Sequence, residues 1–342
     1  MYRLKERSDL VPGGGLMADA GSNDLRILSG NANRPLSRAI ADELNVPLSA
    51  TEVGRFADGE IRVRIEESVR GADVFVVQPT CPPSSDSIME LLIILDALKR
   101  ASAARTTAVI PYYGYARQEK KLKAREPISA KLVADLISVA GADRILTVDL
   151  HVQSIQGFFD IPVDHIPGGP ILAEDALARG FAGPEVAVVS PDVGGVGTAK
   201  ALADRLSGSL AIIAKRRPEP NFVEVLQVIG ELAGKKAILI DDMIDTGGSI
   251  VSAAEMVAAR GASEIYAYAT HAVLSGDAVS RLEASPIKEI VVTDTIPLPP
   301  AKASPMIRVL SVAPTLAEAI RRVHENISVS TLFDRYWEDD KK

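Results

Sequence analysis

Short β-branched runs alternate with amphipathic stretches along almost the whole chain. That rhythm predicts an α/β protein, with mainly parallel sheets covered by helices on both faces. In the first half, Leu36, Ile40 and Leu44 recur at helical spacing behind Asn33-Arg34-Pro35. DVFVVQ (73–78) predicts a strand, Ile88 to Arg100 a helix, and TTAVIPYYG (106–114) a strand. Ser129 to Ala140 reads as a helix closed by Gly141, and RILTVDLH (144–151) as a strand ending in polar groups. The second half repeats the plan with strands at EVAVVS (185–190), LAIIAK (210–215), KAILID (236–241), EIYAYATH (264–271) and EIVVTDT (289–295). Ile250 to Arg260 reads as a helix stopped by Gly261. RVLSVAP (308–314) and a helix from Leu316 to Asn326 are expected to pack back on the first unit.

The Pro/Gly stretch HIPGGP (165–170) marks the boundary. It places one domain over 23–165, completed by about 310–333, and another over 166–309. Residues 1–22 read as a disordered extension and 334–342 as a solvated tail. A length of 342 residues suits two ordinary domains. The net charge of −7 argues against binding a nucleic-acid backbone, which needs a basic face. LLIILDAL (91–98), broken by Asp96, is too short to span a bilayer. The single cysteine, Cys81, permits no internal disulfide and points to the cytoplasm.

In open α/β sheets ligands gather at the carboxyl ends of strands, so the polar turns after the apolar runs carry the candidate chemistry. AILIDDMIDTGGS (237–249) offers Asp241 and Asp242 at a strand end, then Asp245, Thr246, Gly247, Gly248 and Ser249 before a helix. Glycines admit a close ligand, and the free N–H groups of a helix start attract an anion. The acidic pair would repel that anion, so it suits sugar hydroxyls or magnesium; a phosphorylated ribose satisfies both parts. TVDLH brings Asp149 and His151, and SPDVGG brings Asp192, a combination able to hold magnesium with phosphates. AKRR (214–217) supplies Lys215 and Arg217 for anion handling. YARQEKKLKAREPIS (115–129) reads as a mobile cationic loop able to close over phosphates.

Together these stretches resemble the ribose-phosphate pyrophosphokinase family from about Asp24 to Phe333, through GRFADGEI, TCPPSSDSIMELL, PYYGYARQEKK, VDLHVQSIQGFFDIPVD and SPDVGG. The resemblance implies two similar type I phosphoribosyltransferase-like domains and transfer of the diphosphoryl group of MgATP to ribose 5-phosphate, for nucleotide, histidine and tryptophan biosynthesis. Phe56, Asp58 and Glu60 would meet the ATP base from a neighbouring subunit, and Arg117 and Gln118 from the same one. His151 and Asp192 would bind magnesium, and Lys215 and Arg217 would stabilise the transferring group. Asp241 and Asp242 would face the ribose, and Asp245, Thr246, Gly247, Gly248 and Ser249 its 5-phosphate. Ser68, Arg70, Gln156, Ser328 and Ser330 match a regulatory site, activated by phosphate and inhibited by ADP, in a homohexamer. Ser249, Thr198, His165 and Asp294 depart from the family's usual residues. The rivals are a nucleobase phosphoribosyltransferase, which lacks the ATP-type motifs, and a catalytically silent associated subunit, which need not keep the acidic, imidazole and cationic groups together.

Overall fold

The computed structural model describes residues 24–216 and 225–333. The expected extension, the tail and Arg217 lie outside the described residues. The first part of the chain runs β1 (Leu25–Ser29), α1 (Arg34–Glu43), β2 (Thr51–Arg55), β3 (Ile61–Ile65), β4 (Asp73–Val77), α2 (Ser84–Arg100), β5 (Arg105–Ile110), α3 (Ser129–Ala140), β6 (Arg144–Val148) and β7 (Val163–Ile166). Strands β1-β4-β5-β6-β7 form a parallel sheet in that order, while β2 and β3 make a separate antiparallel hairpin. Every residue of β4 is buried, as a parallel strand covered on both faces requires.

Local signals explain the boundaries. Asn33 caps α1 by accepting from the Leu36 N–H at 3.3 Å, and α3 closes at Gly141 in the left-handed region, at φ 122°. Helix α2 starts at Ser84, earlier than the apolar spacing indicates. Asp86 in its first turn and Lys99 and Arg100 in its last suit the helix dipole. Strand β5 stops at Ile110 because Pro111 has no N–H to continue the ladder.

The second part runs α4 (Gly169–Ala178), β8 (Val186–Ser190), α5 (Val196–Arg205), β9 (Ser209–Arg216), β10 (Val225–Ile229), β11 (Lys236–Ile244), α6 (Gly248–Ala259), β12 (Glu264–Ala272), α7 (Ala278–Glu283), β13 (Glu289–Thr293), β14 (Ile307–Leu310) and α8 (Ala313–His324). The sheet order is β10-β9-β8-β11-β12-β13-β14, and only the β10 pairing is antiparallel. The late strand β14 stays in this second sheet, contrary to expectation. Helix α8, in contrast, crosses to the first: Leu316, Ile320 and Val323 pack with Ile27, Phe75, Leu36 and Ile40. Each such side chain stabilises by about 1.5–3 kcal/mol when fully buried. His324 of α8 also places Nδ1 2.7 Å from the buried carboxylate of Asp73, which Arg105 grips from the other side at 2.5 and 2.8 Å.

The two sheets meet along a seam. Its apolar part is Cys81, Tyr112, Met243, Val273 and Ile296. Its polar part ties β12 to the end of β6: Thr270 Oγ1 donates to the Asp149 carboxylate, while His271 Nε2 lies 2.9 Å from the Asp149 carbonyl and Nδ1 2.9 Å from Thr295 Oγ1. Asn33 Nδ2 donates to the Asp294 carbonyl at 2.7 Å, so the residue that caps α1 also touches the far end of β13. No helix among the described residues is long and apolar enough to cross a membrane.

Candidate active site

The seam brings the carboxyl end of β11 opposite that of β6. Strand β11 runs on to Ile244, so Asp241 and Asp242 sit within it, with Asp241 in register with Ala269 of β12, instead of just beyond a strand end. Burial, reinforced by the charge of Asp242, pushes the Asp241 carboxyl up to about 8. Asp242 is half-buried, and although desolvation opposes its ionisation, the hydrogen bond and charge of His151 hold it below the ordinary carboxylate value. The contact is His151 Nδ1 to Asp242 Oδ2 at 2.9 Å, and it raises the imidazole above its usual value against the opposing effect of burial. The two adjacent acids are thus shifted in opposite directions.

Beyond Ile244 the chain turns through Asp245, Thr246 and Gly247 into α6. Gly247 has φ 76°, a conformation that costs a side-chain-bearing residue roughly 1–2 kcal/mol, and it stands as the residue before the helix. Thr246 and Ser249 expose their hydroxyls around the helix start. Arg117 of the cationic stretch reaches across to Asp245, with Nη1 to Oδ2 at 2.5 Å. Burial opposes ionisation of Asp245, but hydrogen bonds from Ser275 and Arg117 hold its carboxyl below the usual range. The cationic stretch is itself folded locally, because Glu126 Oε2 accepts from the N–H groups of Leu122 and Lys123 at 2.9 and 2.8 Å.

The other candidates fall around this centre or apart from it. Asp192 is exposed after β8 and accepts from the Gly195 N–H at 2.9 Å, and its charge is felt by Asp241. His151 is engaged with Asp242, and no group of three or more metal-binding side chains exists among the described residues. Lys215 lies near the end of β9, opposite Leu226 of β10. Gln118 accepts from Ser129 Oγ at 2.6 Å beside Arg117. Phe56, Asp58 and Glu60 form the exposed turn of the β2–β3 hairpin, where Phe56 is 54% accessible. Ser68 and Arg70 are exposed in the turn before β4, and Gln156 bonds the Gln153 carbonyl at 3.2 Å. Ser328 and Ser330 share a 2.8 Å hydroxyl contact after α8.

Of the departures, His165 accepts from the Leu150 N–H at 3.1 Å, and burial lowers its pKa. Asp294 accepts from Ser311 Oγ at 2.7 Å and from the Val312 N–H at 2.8 Å, which anchors the start of α8. Thr198 is exposed on α5.

Two family models match: the N-terminal domain of ribose phosphate pyrophosphokinase over residues 25–141, and the phosphoribosyl synthetase-associated domain over residues 211–334. The ribose-phosphate pyrophosphokinase of Caldanaerobacter subterraneus is 59% identical over 312 residues, covering 91% of this chain and 98% of that one. The chain belongs to the ribose-phosphate pyrophosphokinase family. The family's Clostridium tetani member is 57% identical over 311 residues, covering 91% of this chain and 97% of its own. The crystal structure of phosphoribosylpyrophosphate synthetase from Mycobacterium smegmatis superposes with a TM-score of 0.84 at 47% identity, over 89% of this chain and 99% of that chain. The α/β architecture of two helix-flanked, mainly parallel sheets is thus the family's type I phosphoribosyltransferase-like fold.

Sequence patterns did not single out Thr270, His271 or Arg281 for this site. Arg281 of α7 donates Nη1 to the Thr246 carbonyl at 2.8 Å, directly behind the glycine turn.

Proposed function

We propose that the chain is an active ribose-phosphate diphosphokinase, which transfers the β,γ-diphosphoryl group of ATP to the 1-hydroxyl of D-ribose 5-phosphate. The hydroxyl oxygen bonds to the β-phosphorus, the bond from that phosphorus to the α,β-bridging oxygen breaks, and AMP leaves with the electron pair while the hydroxyl proton is lost. The observation that carries this reading is the β11–α6 turn: a backbone cradle for one phosphate directly after two carboxylates suited to ribose hydroxyls. Membership of the family supplies the reaction class.

Asp241 and Asp242 hold the ribose, and Asp245, Thr246, Gly247, Gly248 and Ser249 its 5-phosphate. Arg117 and Gln118, with Phe56, Asp58 and Glu60 of a neighbouring copy, hold ATP, and Lys215 and Arg217 neutralise the diphosphoryl group as charge develops. Such transfer rests on alignment and charge neutralisation more than on covalent chemistry.

The donor set fits magnesium that arrives with nucleotide. Magnesium keeps several waters and takes one or two carboxylates plus substrate phosphates, and Asp192 presents an exposed carboxylate. When neutral and bonded through Nδ1 to Asp242, His151 would keep the lone pair of Nε2 for a metal ion. Magnesium would neutralise phosphate charge there. The same reading makes the enzyme a cytoplasmic homohexamer of two-domain chains meeting near residue 165. Phosphate would activate it and ADP inhibit it through Ser68, Arg70, Gln156, Ser328 and Ser330.

Phosphorus NMR of the protein with ATP, magnesium and ribose 5-phosphate tests the assignment. AMP accumulating with a new diphosphate ester is the expected result. ADP would mean single phosphoryl transfer, and no turnover would favour a silent subunit.

A further inference from the structure

The phosphate turn is held from behind by a segment without a sequence motif. Between β12 and α7, the Leu274 N–H donates to the Ile244 carbonyl at 2.9 Å and the Ser275 N–H to the Asp245 carbonyl at 3.0 Å. Arg281 Nη1 then donates to the Thr246 carbonyl at 2.8 Å. Three successive carbonyls of the turn are thus drawn to one side. In a planar trans peptide the N–H points opposite to its carbonyl, so these contacts turn the following N–H groups toward the other side. Among the described residues, the Thr246 and Gly247 N–H groups donate to no protein acceptor. They lie next to the unsatisfied N–H groups of the first turn of α6.

The third contact differs from the other two because a charged side chain makes it. Arg281 has no acidic partner among the described residues, and a side chain begun at Gly248 would start 3.8 Å from its Nη1. Residues of α7 also back the glycine: a side chain at Gly247 would meet Leu282 Cγ at 3.4 Å and the Ala278 carbonyl at 3.6 Å. A preorganised set of donors binds an anion without reorganising, and a cation behind the set deepens its field.

We propose that Arg281 is a positioning residue for ribose 5-phosphate: its guanidinium pulls back the Thr246 carbonyl, aims the adjoining N–H group at the 5-phosphate, and adds uncompensated positive charge behind the turn. This rests on the reading of the β11–α6 turn as the ribose 5-phosphate site. Arg281 is exposed, so its loss leaves the core unaltered.

The test compares Arg281→Ala and Arg281→Lys in the full chain. Losing the charge behind the turn and the aim of its N–H group weakens one charge-assisted contact to the phosphate, which gives about a tenfold rise in KM for ribose 5-phosphate in Arg281→Ala. The KM for ATP, kcat and the ligand-free melting temperature stay near wild type, and Arg281→Lys recovers part of the loss. An unchanged KM for ribose 5-phosphate, or equal losses for both substrates with a lowered melting temperature, would overturn the proposal. Calorimetric titration with ribose 5-phosphate alone separates this idea from the reaction assignment. If wild type makes no AMP, weaker binding by Arg281→Ala still supports the role, and equal binding, or none by either protein, removes it.

Discussion

Replacing Gly168 with alanine tests whether the seam between the sheets is rigid. Gly168 precedes α4 with φ −79°, so its backbone accepts alanine, and glycine-to-alanine at a compatible site ordinarily stabilises by about 0.4–1 kcal/mol. Here the surroundings reverse the sign. A Cβ would fall within 3.0 Å of Thr270 Oγ1, of Asp149 Oδ2 and of Thr270 Cγ2, the last at 2.9 Å. Those two oxygens belong to the bond that ties β12 to the end of β6. Losing a part-buried hydrogen bond to a carboxylate costs about 1.5–3 kcal/mol, and overpacking adds about 1–3 kcal/mol. A destabilisation of about 1.5–5.5 kcal/mol follows after the small backbone gain. Gly197→Ala on α5 is the comparison: it is exposed, and a Cβ there meets nothing within 4 Å, so it gains about 0.4–1 kcal/mol. Urea unfolding followed by circular dichroism, at one protein concentration because assembly shifts apparent stability, reads both. Activity falls as well in Gly168→Ala, because His151 lies two residues beyond Asp149. A wild-type midpoint for Gly168→Ala would refute the reasoning and show a seam that yields without cost.

Three further outcomes are expected. Asp241, raised to about 8 by burial, binds a proton in the folded state that the unfolded chain releases near 3.8, so it lowers stability as pH rises between those values. Asp241→Asn therefore raises the melting temperature at pH 7.5, flattens its pH dependence between about 4 and 8, and weakens ribose 5-phosphate binding; an unaltered pH profile would sink the argument. The His151–Asp242 tie has full strength above the ordinary carboxylate value of 3.8 and below the ordinary imidazole value of 6.5, and it fades as pH climbs through the raised histidine value. A histidine NMR titration should show the His151 pKa dropping in Asp242→Asn, and no drop would mean that the contact does not form in solution. Lys215→Ala should lower turnover by about two or more orders of magnitude while ribose 5-phosphate binding persists, since its charge acts mainly in the transition state; unchanged turnover removes it from the mechanism.

Local order was legible because each signal lies within a few residues of what it controls. Ser129 to Ala140 with Gly141 is both the expected and the observed helix, and the glycine turn after β11 stands where its composition places it. What periodicity cannot express is pairing between distant segments. Arg117 meets Asp245 across 128 positions and His151 meets Asp242 across 91. Arg281 escaped notice because α7 is a single short element whose lone arginine looks like any solvated charge until the turn is folded against it. Strand β14 was misjudged for a related reason, since a four-residue run does not say which sheet edge it joins. Asp294 stood out in sequence as a departure, but only the arrival of α8 shows it anchoring Ser311 and Val312.

The crossing of α8 onto the first sheet bears on how the chain is made. About 240 residues separate Phe75 from Leu316, its partner on that face, and synthesis at about 5–20 residues per second takes roughly 10–50 s to cover them. Throughout that interval the nascent chain holds Ile27, Phe75 and Val77 with one covering helix missing, and the carboxylate of Asp73 waits for His324. The ribosome must complete the entire second sheet before the first can close, so a stalled or truncated chain presents a sticky apolar face, which is a substrate for chaperones and a seed for aggregation.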